Sequence, residues 1–369
     1  MGWLAYRLSG SIWILGLVGF CSQAAVFFLA PFAGILADRG GKKPLIGKLQ
    51  YVMLAQAAVM SLLAWSGYIQ AWHIVMLSLV LGVTSAFDAP LRQAMLADLV
   101  NDKEHLSNAI ALNSLLVNIA RVAGPALAAI VVKSFGEAAC FALNALSFAA
   151  IIAALSRMRW TESPPLRKSG YWASFVEATG YGWNTPNIRD GLLLVAAVSW
   201  CISPYVTMMP VFVKDSLGGD VELLGHLMSA AGAGTIAGTL YLAGRRNNRG
   251  LTLVVAAGAA ASGGAMCVFA WSSTAWIALC LMFAAGGGMT VAAAGTNTMV
   301  QSTTASHVRA RIASFYITAF IGVAPFGTIA TAAAAEAVGI RMALCINGGL
   351  CCTAALWYWR RNLSAGPHG

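Results

Sequence analysis

Eleven apolar runs separated by short polar turns constrain this chain more than any other feature. They fall near 11–37, 45–67, 71–90, 106–133, 136–156, 189–213, 222–243, 250–270, 274–298, 311–335 and 339–359. A helix of about 20 residues spans the ~30 Å hydrocarbon core of a bilayer. In lipid, only helices and closed barrels satisfy every backbone N–H and C=O. A barrel would need strands of about ten residues with alternating polarity, and the runs show no such alternation. Composition agrees: 59% of the 369 residues are hydrophobic, 10% are charged, and mean hydropathy is +0.73. So few charges do not cover the surface of a water-soluble domain of this size. The fold class predicted is an all-α polytopic membrane protein.

The net charge of +10 invites a nucleic-acid reading, which the positions exclude. Alternating the turns between two sides puts Arg39, Lys42, Lys43, Lys48, Arg92, Lys103, Arg157, Arg159, Arg167, Lys168, Arg189, Arg245, Arg246, Arg249, Arg309, Arg311, Arg360 and Arg361 together. Arg7, Lys133, Lys214 and Arg341 fall on the other side, and Arg121 lies inside a run. The basic side is the cytoplasmic one, which makes the basic excess a topology signal. The expectation is a multi-pass protein of the plasma (inner) membrane with its carboxyl terminus in the cytoplasm. All eight cysteines lie in apolar runs without metal-ligand spacing, so no metal or cofactor is expected. No cleavable signal peptide is evident.

Between the first two runs stands a charged, glycine-broken hinge, Gly34-Ile35-Leu36-Ala37-Asp38-Arg39-Gly40-Gly41-Lys42-Lys43-Pro44-Leu45. A soluble helix-turn-helix with a solvated tip would not set such a hinge between two membrane-length spans. The string resembles the loop signature of the major facilitator superfamily, G-x-L-A-D-R-x-G-R/K-K/R. Further on come Phe87-Asp88-Ala89-Pro90-Leu91-Arg92-Gln93-Ala94, Asn108-Ala109-Ile110-Ala111-Leu112-Asn113, Ala120-Arg121-Val122-Ala123-Gly124-Pro125 and Arg309-Ala310-Arg311. This combination resembles one branch, the enterobactin-exporter-like "transmembrane secretion effector" transporters, from Trp3 to about Trp359. One departure is Ser78, where many relatives outside the branch carry an Arg; proton relay through that position is unavailable.

The resemblance implies two six-helix bundles, twelve spans in all. Gly2–Ser11 reads as the tail of a first helix and its external turn, so most of that helix is expected to be absent; a true eleven-span protein is the alternative. The expected organisation is a helical bundle over 1–156, a cytoplasmic linker over 157–188 and a six-helix bundle over 189–369. Within the linker, Trp172, Phe175, Val176, Thr179 and Trp183 recur at helical spacing, as in a helix lying at the headgroup layer. The halves echo each other: Gly124-Pro125 precedes Gly136 and Asn144, while Ala324-Pro325-Phe326-Gly327 precedes Gly339 and Asn347. Halves of this kind put the substrate site between them near mid-bilayer.

The gating motif comprises Gly34, Asp38, Arg39, Gly41, Lys42, Lys43 and Arg92. A carboxylate at a helix carboxyl end needs a cation, and Arg92 is the expected partner of Asp38, with Arg39 the local alternative. By resemblance, Asp38 also meets the amino end of the helix near Arg311–Ser314, closing the cytoplasmic gate; the plainer reading is a static anchor. The second-half copy, Gly238–Arg246, lacks the Asp, so an asymmetric gate is expected. Gly124 and Pro125 form an antiporter-like kink, associated in the superfamily with exporters; a packing kink is the alternative.

Arg121 lies near mid-span, where a cation costs at least about 2.5 kcal/mol. Its readings are a cavity group for an anionic or phenolic substrate and a structural helix tie. Asn113, Val117 and Asn118 lie on or beside its helix face. Gln23, Ser199, Trp200, Tyr205, Thr296, Asn297 and Tyr316 are the other polar cavity candidates. Pro204 and Pro210, around Met208 and Met209, suggest a broken, adaptable helix.

No nucleophile constellation, nucleotide loop or metal cluster accompanies these helices, so the chain is not read as an enzyme. The expected activity is secondary active export of a small amphipathic molecule by alternating access, by a protein expected to be monomeric. Siderophore- or drug-like substrates and proton antiport are what the resemblance implies. Asp88, Glu137, Asp190 and Glu222 all fall at span ends, leaving no carboxylate deep in a span for the proton. An uptake permease of the same fold and a non-transporting sensor or inactive fragment are the rival functions.

Overall fold

The computed structural model describes residues 1–38, 41–99, 103–158, 180–245, 250–305 and 308–363. Side chains are not described at 30–38, 94, 97, 103–107, 110, 111, 310 and 363. No strand occurs among the described residues. In chain order the helices are α1 (Gly2–Ser9), α2 (Ile12–Asp38), α3 (Lys42–Ser66), α4 (Ala71–Leu99) and α5 (Lys103–Arg157). Then follow α6 (Pro186–Ile202), α7 (Tyr205–Val211), α8 (Val221–Ala243), α9 (Leu251–Ala270) and α10 (Ala275–Thr303). The last are α11 (Arg309–Ile317), α12 (Ala324–Val338) and α13 (Ile340–Leu363).

Ten helical stretches among the described residues are long and apolar enough to cross a membrane. One of them, Leu112–Arg157, is 46 residues long, about 69 Å as a straight helix and twice what a bilayer needs. It is broken at Gly136, whose φ of 82° and ψ of 171° are non-helical. Counting its two limbs separately gives the eleven runs of the sequence. Gly339, between α12 and α13, repeats the device with φ 85° and ψ 155°. Backbone at these angles is open to glycine and costly for other residues, so the echo between the halves is a repeated way of ending one helix and starting the next.

The chain divides into two compact units, Met1–Arg167 and Lys168–Gly369. In the first, α2 packs along α4, and α3 along both α4 and α5. The second limb of α5 runs antiparallel to α3: Ser61 Oγ donates to the Ala138 carbonyl at 2.9 Å, and the Lys43 ammonium donates to the Met158 carbonyl. The opening is helical as expected, and Gly10 turns the chain after α1 in a left-handed conformation. Leu4 and Ala5 pack with Val18, Met60, Ile69 and Ile74 in one cluster, and Arg7 pairs with Glu137 at 3.2 Å. In the second unit, α10 packs along α8 and α9, α9 along α13, and α6 against α10, α12 and α13.

Between Leu112 and Arg121 every side chain of α5 except Asn118 is exposed. Of the linker stripe, positions 172–179 lie outside the described residues and Trp183 is exposed. All eight cysteines are free thiols.

Candidate functional site

The hinge motif is held by the ends of α2 and α3. Gly34 and Asp38 belong to the last turns of α2; the Asp38 side chain and Arg39 lie outside the described residues. The expected contacts of Asp38 with Arg92 and with the start of α11 therefore lie outside them as well. Gly41 precedes α3 with φ 72°. Lys42, in the first turn of α3, reaches across to α4 and pairs with Asp98 at 2.6 Å. Both side chains are nearly withdrawn from solvent, 11% and 5% exposed. Removing one member of a buried pair of this kind is costly, because the remaining charge loses a partner where water does not replace it.

Asp98 was not among the candidates, because Pro90 was read as the end of the run. The structure carries α4 on to Leu99 with Pro90 inside it. Proline is tolerated within membrane helices where neighbours satisfy the freed backbone group. Asp88 falls five residues before the end of the apolar stretch Ala71–Gln93, near the span end at which the sequence placed it. Its carboxylate accepts from Gln50 Nε2 at 2.7 Å and pairs with Arg92 one turn on, at 3.2 Å. Arg92 thus has Asp88 as a carboxylate partner among the described residues, on its own helix. Gln50 is wholly buried, and its Oε1 has no hydrogen-bond partner among the described residues. An amide serves as donor or acceptor, so Gln50 can hold Asp88 in either protonation state.

Arg121 lies eighteen residues into α5, about 27 Å along its axis, within the stretch Leu112–Arg157. It is exposed and makes no ion pair among the described residues, and Asn113 and Val117 are exposed on the same helix face. Among the described residues of unit one, no ion pair ties Arg121 to another helix. A side chain added at Gly124 would meet open space, so the close helix approach read from Gly124-Pro125 is not used there either. Gln23 is half-buried on α2.

In unit two the candidates separate. Trp200 is exposed by 38% and Asn297 is half-buried, its Oδ1 accepting from Gln301. Tyr205 is buried. Tyr316 packs with Val195 and Ala293, its hydroxyl donating to the Ala293 carbonyl at 2.8 Å. That hydroxyl is committed to helix packing instead of facing open space. Thr296 is buried with an unpartnered Oγ1 among the described residues.

Ser199 has an identifiable structural task. Between α11 and α12 the chain takes a π-helical stretch, Thr318–Gly322, followed by Pro325. In a π pattern the Phe320 carbonyl would accept from residue 325, and proline has no N–H to give. The Ser199 hydroxyl of α6 donates to Phe320 O instead. Beside it, Gly327 lets α12 come so near α6 that a Cβ there would stand 2.3 Å from the Trp200 carbonyl oxygen. The helix break expected around Pro204 is also present: α6 ends at Ile202, and α7 passes into a π turn, Phe212–Ser216. Met208 and Met209 are fully buried there.

Comparison with known proteins places this geometry. The profile of the family described as "transmembrane secretion effector" matches residues 1–367. A staphyloferrin A transporter of Staphylococcus aureus (strain NCTC 8325 / PS 47) is 26% identical over 250 residues, 66% of this chain and 61% of that protein. The MFS-type transporter YfiS of Bacillus subtilis (strain 168) is 24% identical over 259 residues, 69% of this chain and 60% of that one. The matched region thus spans about three fifths of these relatives. Among solved structures, the nucleoside transporter NupG aligns over 97% of this chain and 92% of its own, with TM-score 0.75 and 13% identity. A bacterial homologue of the human lysosomal transporter Spinster aligns over 100% of this chain and 98% of its own, with TM-score 0.67 and 13% identity. At these identities the solved structures speak for the fold alone: a major facilitator fold.

Proposed function

Because the chain belongs to the transmembrane secretion effector family of major facilitator transporters, a family of transporters and not of enzymes, we propose that it is a secondary active exporter. Its cargo is a small amphipathic molecule of siderophore- or drug-like kind, carried by alternating access of the two units and driven by proton entry. The observation that carries this reading is the family match across residues 1–367. The likeness to a staphyloferrin A transporter supports a siderophore-like cargo. Arg121, exposed at mid-span beside Asn113 and Asn118, suits an anionic or phenolic group of that cargo. Trp200, Asn297 and Gln23 are its proposed polar and aromatic companions. Asp38, Arg39, Lys42, Lys43 and Arg92 are assigned to the cytoplasmic gate, in which the Lys42–Asp98 pair holds the start of α3 against α4.

The proton is assigned to Asp88. Its carboxylate is 13% exposed within an apolar stretch and stands between an amide and a guanidinium. Charged, it holds Arg92; protonated, it releases that pair, which gives the gate a reason to respond to the proton gradient.

Everted inner-membrane vesicles test the assignment. Energised vesicles containing the protein should accumulate a radiolabelled siderophore or amphipathic drug and lose it when a protonophore is added. Asp88→Asn should remove the dependence on the pH gradient while leaving substrate exchange at equilibrium. Accumulation by intact cells instead of by everted vesicles would make the protein an uptake permease and overturn export. Absence of movement in both preparations would overturn transport itself.

A further inference from the structure

One face of α13, remote in sequence from the motifs above, carries chemistry that the transport reading does not use. Thr353, Leu356, Trp357, Arg360 and Arg361 line an open groove of about 590 Å³. They stand at i, i+3, i+4, i+7 and i+8, which makes them a single stripe about 12 Å long on the helix surface. The stripe is graded. Thr353 returns its hydroxyl to the Leu350 carbonyl at 2.8 Å and so presents an essentially apolar face. Leu356 and Trp357 follow, 49% and 38% exposed. The stripe ends on Arg360 and Arg361 in the last turn of the helix, the level at which a span meets the headgroups.

At that end, among the described residues, cations outnumber carboxylates. Asp190, at the start of α6, is 2% exposed and holds Arg361 Nε at 2.8 Å and Arg189 Nε at 3.1 Å. The Arg361 guanidinium also lies 5.5 Å from the centre of the Trp357 ring, which fixes its place beside the apolar part of the stripe. Two guanidinium groups, those of Arg189 and Arg361, share this carboxylate, and Arg360 beside them on α13 makes no ion pair among the described residues. Asp190 therefore serves as a buried anchor for Arg189 and Arg361, and exposed Arg360 gives the end of the groove a positive charge among the described residues. An anion is what such an end attracts, and the apolar stripe behind it fits an acyl chain.

We propose that this face of α13 binds one anionic phospholipid, its phosphate on Arg360 and Arg361 and one acyl chain along Leu356 and Trp357 toward Thr353. A zwitterionic headgroup carries its own cation and forfeits the attraction. A free phosphate has no use for the Leu356–Trp357 portion.

Native mass spectrometry of the purified full chain, titrated with phosphatidylglycerol and with phosphatidylcholine of the same acyl chains, tests this. Wild type should retain one more phosphatidylglycerol than Arg360→Gln, whose affinity for that lipid should fall roughly fivefold, the equivalent of about 1 kcal/mol for one basic group at the surface. Trp357→Ala should lower retention of the same lipid while the thermal midpoint stays at the wild-type value. Arg360 is exposed, so its replacement leaves the helix packing in place. Equal retention of the two lipids by wild type, or wild-type retention by Arg360→Gln, would overturn the proposal. Displacement of the bound lipid by inorganic phosphate alone would overturn it too, by reducing the site to a bare anion hole.

Discussion

Lys42 and Asp98 meet where both are almost out of reach of water, and that fixes what their replacement does. Lys42→Met takes from the buried Asp98 carboxylate the ammonium it pairs with, and the expected loss of stability is on the order of 3–5 kcal/mol. Replacing both, as Lys42→Met with Asp98→Leu, should recover most of it, because two apolar groups need no pairing. Thermal unfolding in detergent, read as a double-mutant cycle, measures the difference; equal losses in the single and double variants would show the pair to be unimportant. Lys42 was legible in the sequence as part of the hinge motif. Asp98 was not, because the proline at position 90 read as a stop and hid nine further residues of helix. Composition locates spans well and their polar ends badly, since the last turns of a span are neither apolar nor broken.

At the level of single helices, the broken passage from α11 to α12 is the informative case. The Ala324-Pro325 motif was visible in the sequence, and its partner across the gap was not. Ser199 was marked only as one polar residue among several, since nothing in its own neighbourhood announces that a carbonyl on another helix lacks a donor. The near approach of α12 to α6 depends on Gly327 having no side chain. Gly327→Ala puts a methyl against a backbone carbonyl that cannot rotate away, and overpacking of this kind costs about 1–3 kcal/mol. The thermal midpoint of the purified protein should fall accordingly. Gly124→Ala, where a Cβ meets open space, should leave it near the wild-type value. Equal effects at the two glycines would contradict the packing described here.

For the whole molecule, hydropathy and charge carried the architecture. Alternate turns fall together within each unit: Lys43 meets Met158 at one end of the first unit and Arg7 meets Glu137 at the other. In the second unit, Arg341 donates to the Ser216 carbonyl at one end, and Asp190 holds Arg361 at the other. The positive-inside bias then makes a prediction about sides. Cysteines placed at Lys133 and Lys214 should react with a membrane-impermeant maleimide on intact cells, and cysteines at Arg157 and Arg360 should not. Reaction at Lys133 and Arg157 alike would undo the alternation on which two moving units depend. The pairing of polar residues within each unit was less legible, because it joins positions distant along the chain, such as 42 with 98 and 190 with 361, that no short motif contains.

The join at Gly136 has a mechanical corollary. A connector of one residue has no slack, so the limb that bears Arg121 cannot tilt without pulling on the limb behind it. That second limb is tied in turn to α3 at Ser61 and Lys43. On the proposed assignment of Arg121 to the cargo, leverage exerted there would arrive at the hinge lysines as displacement, with no loose loop at Gly136 to absorb it.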